Sequence, residues 1–476
     1  MTGRLVFSKA LCAVTLVSLG LTDRAKAEVP SAVAIRNARI VTVSGDDLPS
    51  GTVLLRNGMI QDVGANVAIP ADAWVIDGSG LTVYPGFIDS LSTWGIPASA
   101  PASTGTNRTT TAAPALATPA PLAPSTPIHG PEDRPQTYSF ERAADLVSPS
   151  DPRLDSVRAA GFSTAATFPN RGIFEGLGAV VDLAGARGRD MVVAQPVGQQ
   201  ILFRTGGGGM GRAFPASLMG NIAYVRQLYL DLDQYKQAKQ IYKEHAAGNK
   251  RPEYDHTLEG LADSPRVLLP ANEAQQIERM VRFGPELKMP FVLYGLHEGY
   301  RCVDLLKQAN VPVLISLKWP EKPKDADPTD VQNYRNLLMQ EQAPGVPGML
   351  SKAGVKFAFY SDGVDSAPDL KKALKRVVDA GLSRHDLIRA LTLSPAEIYG
   401  LSDRLGSIGK GKIANLVVMR GEAFDDKTTV EYVFVDGQEF KPSKDLQEGP
   451  KKGGADASGA KPADASGDDQ MRGDVQ

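Results

Sequence analysis

Between Thr82 and Gly363 the chain returns eight times to a short apolar run: "TVYPGFID", "STAATFP", "GAVVDLAG", "MVVAQP", "RVLLPA", "PFVLYG", "VPVLISL" and "VKFAFYSDG". Unbroken apolar runs separated by helical stretches suit strands buried on both faces, the environment of a parallel sheet with helical crossovers. Eight of them predict an α/β fold with a closed (β/α)8 barrel of the TIM type. Giving "GAVVDLAG" and "MVVAQP" a barrel strand each strains this count. The link "ARGRD" is short for a crossover and fits equally a hairpin inserted at the rim.

Two β-rich pieces bracket the barrel. "AIRNARIVTV" and "GTVLLRNGMIQDVG" precede it, with Asn57-Gly58 suited to a two-residue turn, and "KIANLVVMRG" and "EYVFVDGQEF" follow it, with Asp436-Gly437 as a second turn. The expected organisation is a β-sandwich built from residues 28–84 and 401–440 around a barrel at 85–400. Residues 97–137 are dense in Pro, Ala and Thr and read as a flexible insert after the first barrel strand, and the tail at 441–476, which repeats "ADASG", reads as disordered.

The chain has 476 residues, 52 basic and 54 acidic, for a net charge of -2. Balanced charge gives no field for nucleic acid, which is set aside as a partner. Residues 1–27 read as an export signal: Arg4 and Lys9 open it, "ALCAVTLVSLGL" is too short to span a bilayer, and "AKA" ends it. The expectation is an exported, periplasmic or secreted protein with no integral membrane segment once the signal is cleaved. Only Cys302 would then remain, so an intrachain disulfide is impossible.

Together, "VIDGSGLTVYPGFID", "VKFAFYSDG" and "ALTLSPAEIYGLSDRLGSIGKGKIANLVVMRG" resemble the amidohydrolase superfamily, near its imidazolonepropionase-like branch. The resemblance implies a metal-centred barrel hydrolysing non-peptide carbon-nitrogen bonds. Such chemistry needs a divalent ion to lower the pKa of water, and hence several converging donors. The family's paired histidines after the first barrel strand fall here on Leu91 and Thr93. Its ligand positions after strands five and six fall on Pro270 and on Tyr294 or Gly295, with His297 displaced by two or three residues. Only Asp362, in "YSDG", matches. Asn415 stands where the family usually has Asp, at a structural position.

The resemblance therefore implies Asp362 as the catalytic position. His297, Glu298, Arg301 and Lys318 are the rim candidates for substrate binding, and no residue is assigned as a metal ligand. No cofactor is assigned; zinc or another divalent ion enters only through an unorthodox site. Three functions follow: a hydrolase with a degenerate metal site, an inactive binding or partner protein (a pseudoenzyme), or metal-free acid-base chemistry by Asp362 with His297 or Lys318. A small-molecule ligand, a second copy of the chain or an active relative are the partners these readings allow. His129, His245, His256 and His385 read as solvated surface residues. "GGGGMG" at 206–211 lacks the strand before it that a dinucleotide site needs, and "YVRQLYLDLDQYKQAKQIYKEH" reads as an amphipathic helix packed on the barrel.

Overall fold

The computed structural model describes residues 32–97, 134–203, 215, 217–322 and 331–448. Residues 1–27, read above as an export signal, His129, most of the Pro-rich insert, "GGGGMG" and the end of the tail lie outside them.

The N-terminal strands are β1 (Ala32–Ile40), β2 (Leu48–Arg56), β3 (Met59–Gly64), β4 (Ala73–Asp77) and β5 (Leu81–Pro85). β2 and β3 form the expected hairpin, with Arg56 opposite Met59 and both Asn57 and Gly58 at positive φ. That is the mirror-image turn whose twist matches paired strands. The barrel strands are β6 (Phe87–Ser92), β7 (Phe162–Thr167), β8 (Phe174–Leu177), β9 (Ala179–Asp182), β10 (Val192–Ala194), β11 (Gln199–Ile201), β12 (Val267–Ala271), β13 (Phe291–Gly295), β14 (Val313–Ser316) and β15 (Phe357–Tyr360). The chain then returns through β16 (Leu416–Arg420), β17 (Thr429–Val435) and β18 (Gln438–Phe440) to the first sheet, in the order β18-β17-β16-β5-β1-β2-β3 with β4 on β1. Residues nearly 400 positions apart thus share one sheet, and its apolar core draws Val33, Ile35 and Val53 from one end and Leu416, Val418 and Phe434 from the other.

The barrel departs from the expected all-parallel ring at one stave. β8 and β9 form a single bent strand that runs antiparallel to β7 on one side and to β10 and β11 on the other. "GAVVDLAG" and "MVVAQP" are therefore antiparallel neighbours, as the short link between them demands, since a parallel pair needs a crossover of a dozen or more residues. From β11 to β15 every pairing is parallel. Two backbone bonds, Gly178 N–H to Gly198 O and Val197 N–H to Gly178 O, bridge the bend where the two barrel sheets meet. At the other junction Ser361 N–H donates to Asp89 Oδ1 (3.0 Å), joining the end of β15 to β6.

Two further expectations need correction at their edges. Residues 134–137 belong to the fold rather than to a loose insert: Thr137 bridges to Phe174 and its hydroxyl meets Tyr224 Oη at 2.7 Å. The start of the tail is also ordered. A short helix, Lys444–Glu448, sets the Gln447 amide against Val430, donating to its carbonyl and accepting from its N–H, both at 2.9 Å, so a side chain supplies the missing strand partner. The Tyr-rich segment lies in the helix Leu218–Glu244, whose first half buries Tyr224, Val225, Leu228, Tyr229 and Leu232 as the spacing predicted. No helix among the described residues is long and apolar enough to cross a membrane.

Candidate active site at the barrel mouth

Parallel strands all end on the same face of a barrel, and residues directly opposite each other on paired strands share a side. Pro270 lies opposite Tyr294, Leu314 opposite both Tyr294 and Ala358, and Ser316 opposite Tyr360. With Leu91, Phe168 and Leu268, most of these side chains form the apolar interior of the barrel. Tyr294 and Tyr360 meet edge to face, centroids 6.1 Å apart, and the Tyr294 hydroxyl donates to Ile201 O (2.7 Å). Burial pushes the Tyr360 phenol well above its usual range. Two neutral rings thus occupy the end of the barrel where a metal centre would sit.

Asp362 follows β15 in the left-handed region (φ 52°), ahead of Gly363, and its Oδ2 accepts from Ser316 Oγ at 2.8 Å. His297 is buried nearby. Its N–H donates to Asn272 Oδ1 (3.1 Å), its ring leans on Trp319 at 6.1 Å, and Nε2 has no partner among the described residues. Burial lowers the imidazole pKa, opposed by the Asp362 charge and the Ser316 backbone, so the ring is neutral near pH 7. His297, Ser316 and Asp362 are brought together.

The other candidates are placed elsewhere. Glu298 is fully buried, but its carboxylate is already used: both oxygens accept from Arg335 (2.6 and 2.8 Å), and Oε2 caps the helix Ala274–Phe283 through Ala274 N–H (2.9 Å). The Arg335 hydrogen bonds hold it below the usual carboxylate range. Arg301 and Lys318 are exposed. Only the Lys318 backbone joins the group, its N–H donating to Ser316 Oγ (3.1 Å). His245, His256 and His385 are exposed, as expected.

Asp89 is the group the sequence reading passed over. It is wholly buried in β6, where Oδ1 accepts from Leu91 N–H (3.3 Å) and Ser361 N–H (3.0 Å), while Oδ2 has no partner among the described residues. Burial, with the nearby Asp362 charge, pushes its carboxyl up to about 7. The buried hydroxyls of Ser90 and Ser361 are likewise unpartnered. The available signal was a charged residue inside the otherwise apolar run "YPGFID".

The donors can be tested against the metal that such a barrel implies. Leu91 packs into the apolar interior and Pro270 has no donor. Thr93 is taken up by Arg153, whose guanidinium donates to its hydroxyl (2.9 Å) and its carbonyl (2.8 Å), putting a cation beside the second histidine position. The Tyr294 hydroxyl is committed to Ile201. Zinc takes three or four nitrogen, sulfur or carboxylate donors, and no three His, Cys, Asp or Glu side chains converge among the described residues. The residues present do not fit the group.

The amidohydrolase family model matches residues 298–440. An amidohydrolase from Thermotoga maritima MSB8 superposes with a TM-score of 0.65 at 23% identity, covering 86% of this chain and 100% of that one. A Xaa-Pro dipeptidase with bound methionine in its active site superposes with a TM-score of 0.51 at 17% identity, covering 86% and 100%. No curated protein matches the sequence. These matches do not reach the imidazolonepropionase-like branch. The last third of the barrel and the returning strands thus match the amidohydrolase family model, and the chain shares its fold with an amidohydrolase.

Proposed function

We propose that the chain is an exported amidohydrolase-fold protein with little metal-dependent hydrolytic activity, in which the barrel serves as a scaffold for binding a small polar ligand. The observation that carries this is the fate of the four ligand positions: Leu91 is packed in the core, Thr93 is held by Arg153, Pro270 carries no donor, and Tyr294 is bonded to Ile201. Buried unpartnered groups at His297, Asp89, Ser90 and Ser361 support a polar occupant, because each costs stability unless something pairs with it.

A second reading is favoured by one feature. A neutral His297 with a free Nε2, within electrostatic reach of Asp362, has the makings of a general base that needs no metal. Metal content and hydrolysis, measured on the exported protein without affinity histidines, separate the two. N-acyl and Xaa-Pro dipeptides and cyclic amides are the carbon-nitrogen substrates to screen, with and without added zinc or manganese. The expected result is substoichiometric metal and background hydrolysis under both conditions. Near-stoichiometric zinc that is lost in Asp362→Ala overturns the proposal, and metal-independent turnover abolished by His297→Gln establishes the acid-base reading instead.

A further inference from the structure

A place for a ligand lies away from the mouth, in a cavity of about 400 Å³ at the seam between barrel and sheet. That volume is near the lower end of small-molecule sites, roughly 300–1,000 Å³. Its walls come from four parts of the chain: the end of the helix Arg153–Ala159, the first turns of the helix Ala367–Asp379, strands β16 and β17, and the closing helix Lys444–Glu448. The floor is apolar and buried, made by Leu374, Met419, Phe424 and Val430.

One cation reaches into this apolar setting. Lys371 is half-buried; its Nζ donates to the carbonyls of Asp426 (3.0 Å) and Thr428 (2.9 Å), and no carboxylate pairs with it among the described residues. Two neutral acceptors leave one ammonium proton free, and the Asp426 and Asp425 carboxylates act on the charge from beyond hydrogen-bond distance. Burial lowers its pKa, the sign of a charge that lacks a full complement of solvent or counterion.

The floor is also braced. Phe424 sits at φ 70°, a conformation costly for a bulky side chain, and stacks on Phe87 of β6 with centroids 5.4 Å apart. Its loop is held by Arg384, which bonds Ala423 O (2.5 Å) and pairs with Asp425, and by the Thr428 hydroxyl on Glu422 O. Backbone strain kept by surrounding contacts is a feature of ligand clamps.

We propose that this seam cavity binds a small amphipathic monocarboxylate, its carboxylate on Lys371 Nζ and its apolar body on Met419, Phe424 and Val430. A single half-buried cation with one free proton suits one negative charge. The exposed rim carries both signs, Lys427 and Lys444 beside Asp426 and Glu448, so among the described residues the buried part of the cavity offers one cation only, Lys371. The site is separate from the barrel mouth and does not depend on the function proposed there.

The test is calorimetric titration of the purified full chain with octanoate and, in parallel, with octanol. Octanoate is expected to bind at least tenfold more tightly than octanol. Lys371→Gln should remove that difference, and Ala160→Leu, which adds side-chain volume at the cavity wall while leaving the lysine in place, should abolish binding of both. Equal binding of acid and alcohol overturns the proposal, as does octanoate affinity unchanged in a folded Lys371→Gln protein. Should Lys371→Gln fail to fold, Ala160→Leu decides alone: lost octanoate binding upholds the site and retained binding refutes it.

Discussion

Two aspartates, both wholly buried and both pushed up to about 7, show how differently this barrel treats its two ends. Asp182, at the end of β9 facing the sheet, has two side-chain donors on one oxygen: Oδ1 accepts from Asn415 Nδ2 (2.6 Å) and Thr164 Oγ1 (3.1 Å). Asn415 also donates to Thr164 (2.9 Å) and accepts from Asp436 N–H (2.7 Å), so one side chain ties sheet to barrel. Asp89, beside the mouth, keeps an oxygen without a partner, among other unpartnered buried groups. Side-chain hydrogen bonds that cross from sheet to barrel fix a joint; a buried group left unpaired costs stability, which a ligand that pairs with it would repay. The difference also explains Asn415. A carboxylate there would face Asp182 across hydrogen-bond distance, whereas the amide supplies the proton that Asp182 needs.

The sharpest way to break this contrast is Asn415→Leu, which strips the joint of its amide, leaving Asp182 with Thr164 as its one side-chain donor and the Asp436 N–H unpaired. We expect a loss of about 3 kcal/mol in urea unfolding, from several unpaired buried groups. A loss under about 0.5 kcal/mol would show that the joint is not held by this side chain.

Next in size is a pH effect. For Asp89 the folded pKa lies above the unfolded value of 3.8, so its contribution is fully present below that value and is lost as pH rises through about 7. Asp89→Asn keeps an acceptor for Leu91 and Ser361 and removes the titration. The variant should lose less stability than the parent between pH 5 and 8, by on the order of 2 kcal/mol. Parallel stability-pH curves for the two proteins would refute a protonated Asp89. Ligand binding at the mouth should move this titration, while Asp182→Asn should show a pH effect that ligand leaves unaltered.

The smallest effect concerns the two rings at the mouth, Tyr294 and Tyr360. Tyr294→Phe keeps the ring against Tyr360 and loses one buried hydrogen bond to Ile201, for an expected cost of about 1 kcal/mol in thermal or urea unfolding. A cost of several kcal/mol would mean that this hydroxyl organises the whole mouth, and a gain would mean that the mouth is strained by it.

Much of the architecture was legible before any coordinates. The apolar runs located the barrel strands, Asn57-Gly58 and Asp436-Gly437 marked turns that both adopt positive φ, and the C-terminal motif pointed to the superfamily. The reversed stave was half legible, since the five-residue link argued against a parallel crossover but gave no sign that the chain would continue through β11. At the site, the residue types settled what was missing from the metal positions. Asp362 and His297 were found as neighbours of Ser316, but Glu298, next in sequence to His297, turned out to be a capping and ion-pairing group.

Sequence by itself determined the classes of chemistry available: five histidines in all, Leu91, Thr93, Pro270 and Tyr294 at the ligand positions, two cysteines, and no charge excess to draw a polyanion. These are matters of functional groups, which no folding can add. Only the tertiary structure decided which polar groups are spent and which are open. Glu298 and Thr93 are consumed by Arg335 and Arg153, while His297 Nε2, Asp89 Oδ2 and the Lys371 ammonium are left with capacity to bind. The reason is that hydrogen bonding and desolvation depend on partners brought together from distant parts of the chain, such as Thr93 with Arg153 and Asp182 with Asn415, and local sequence does not record those meetings.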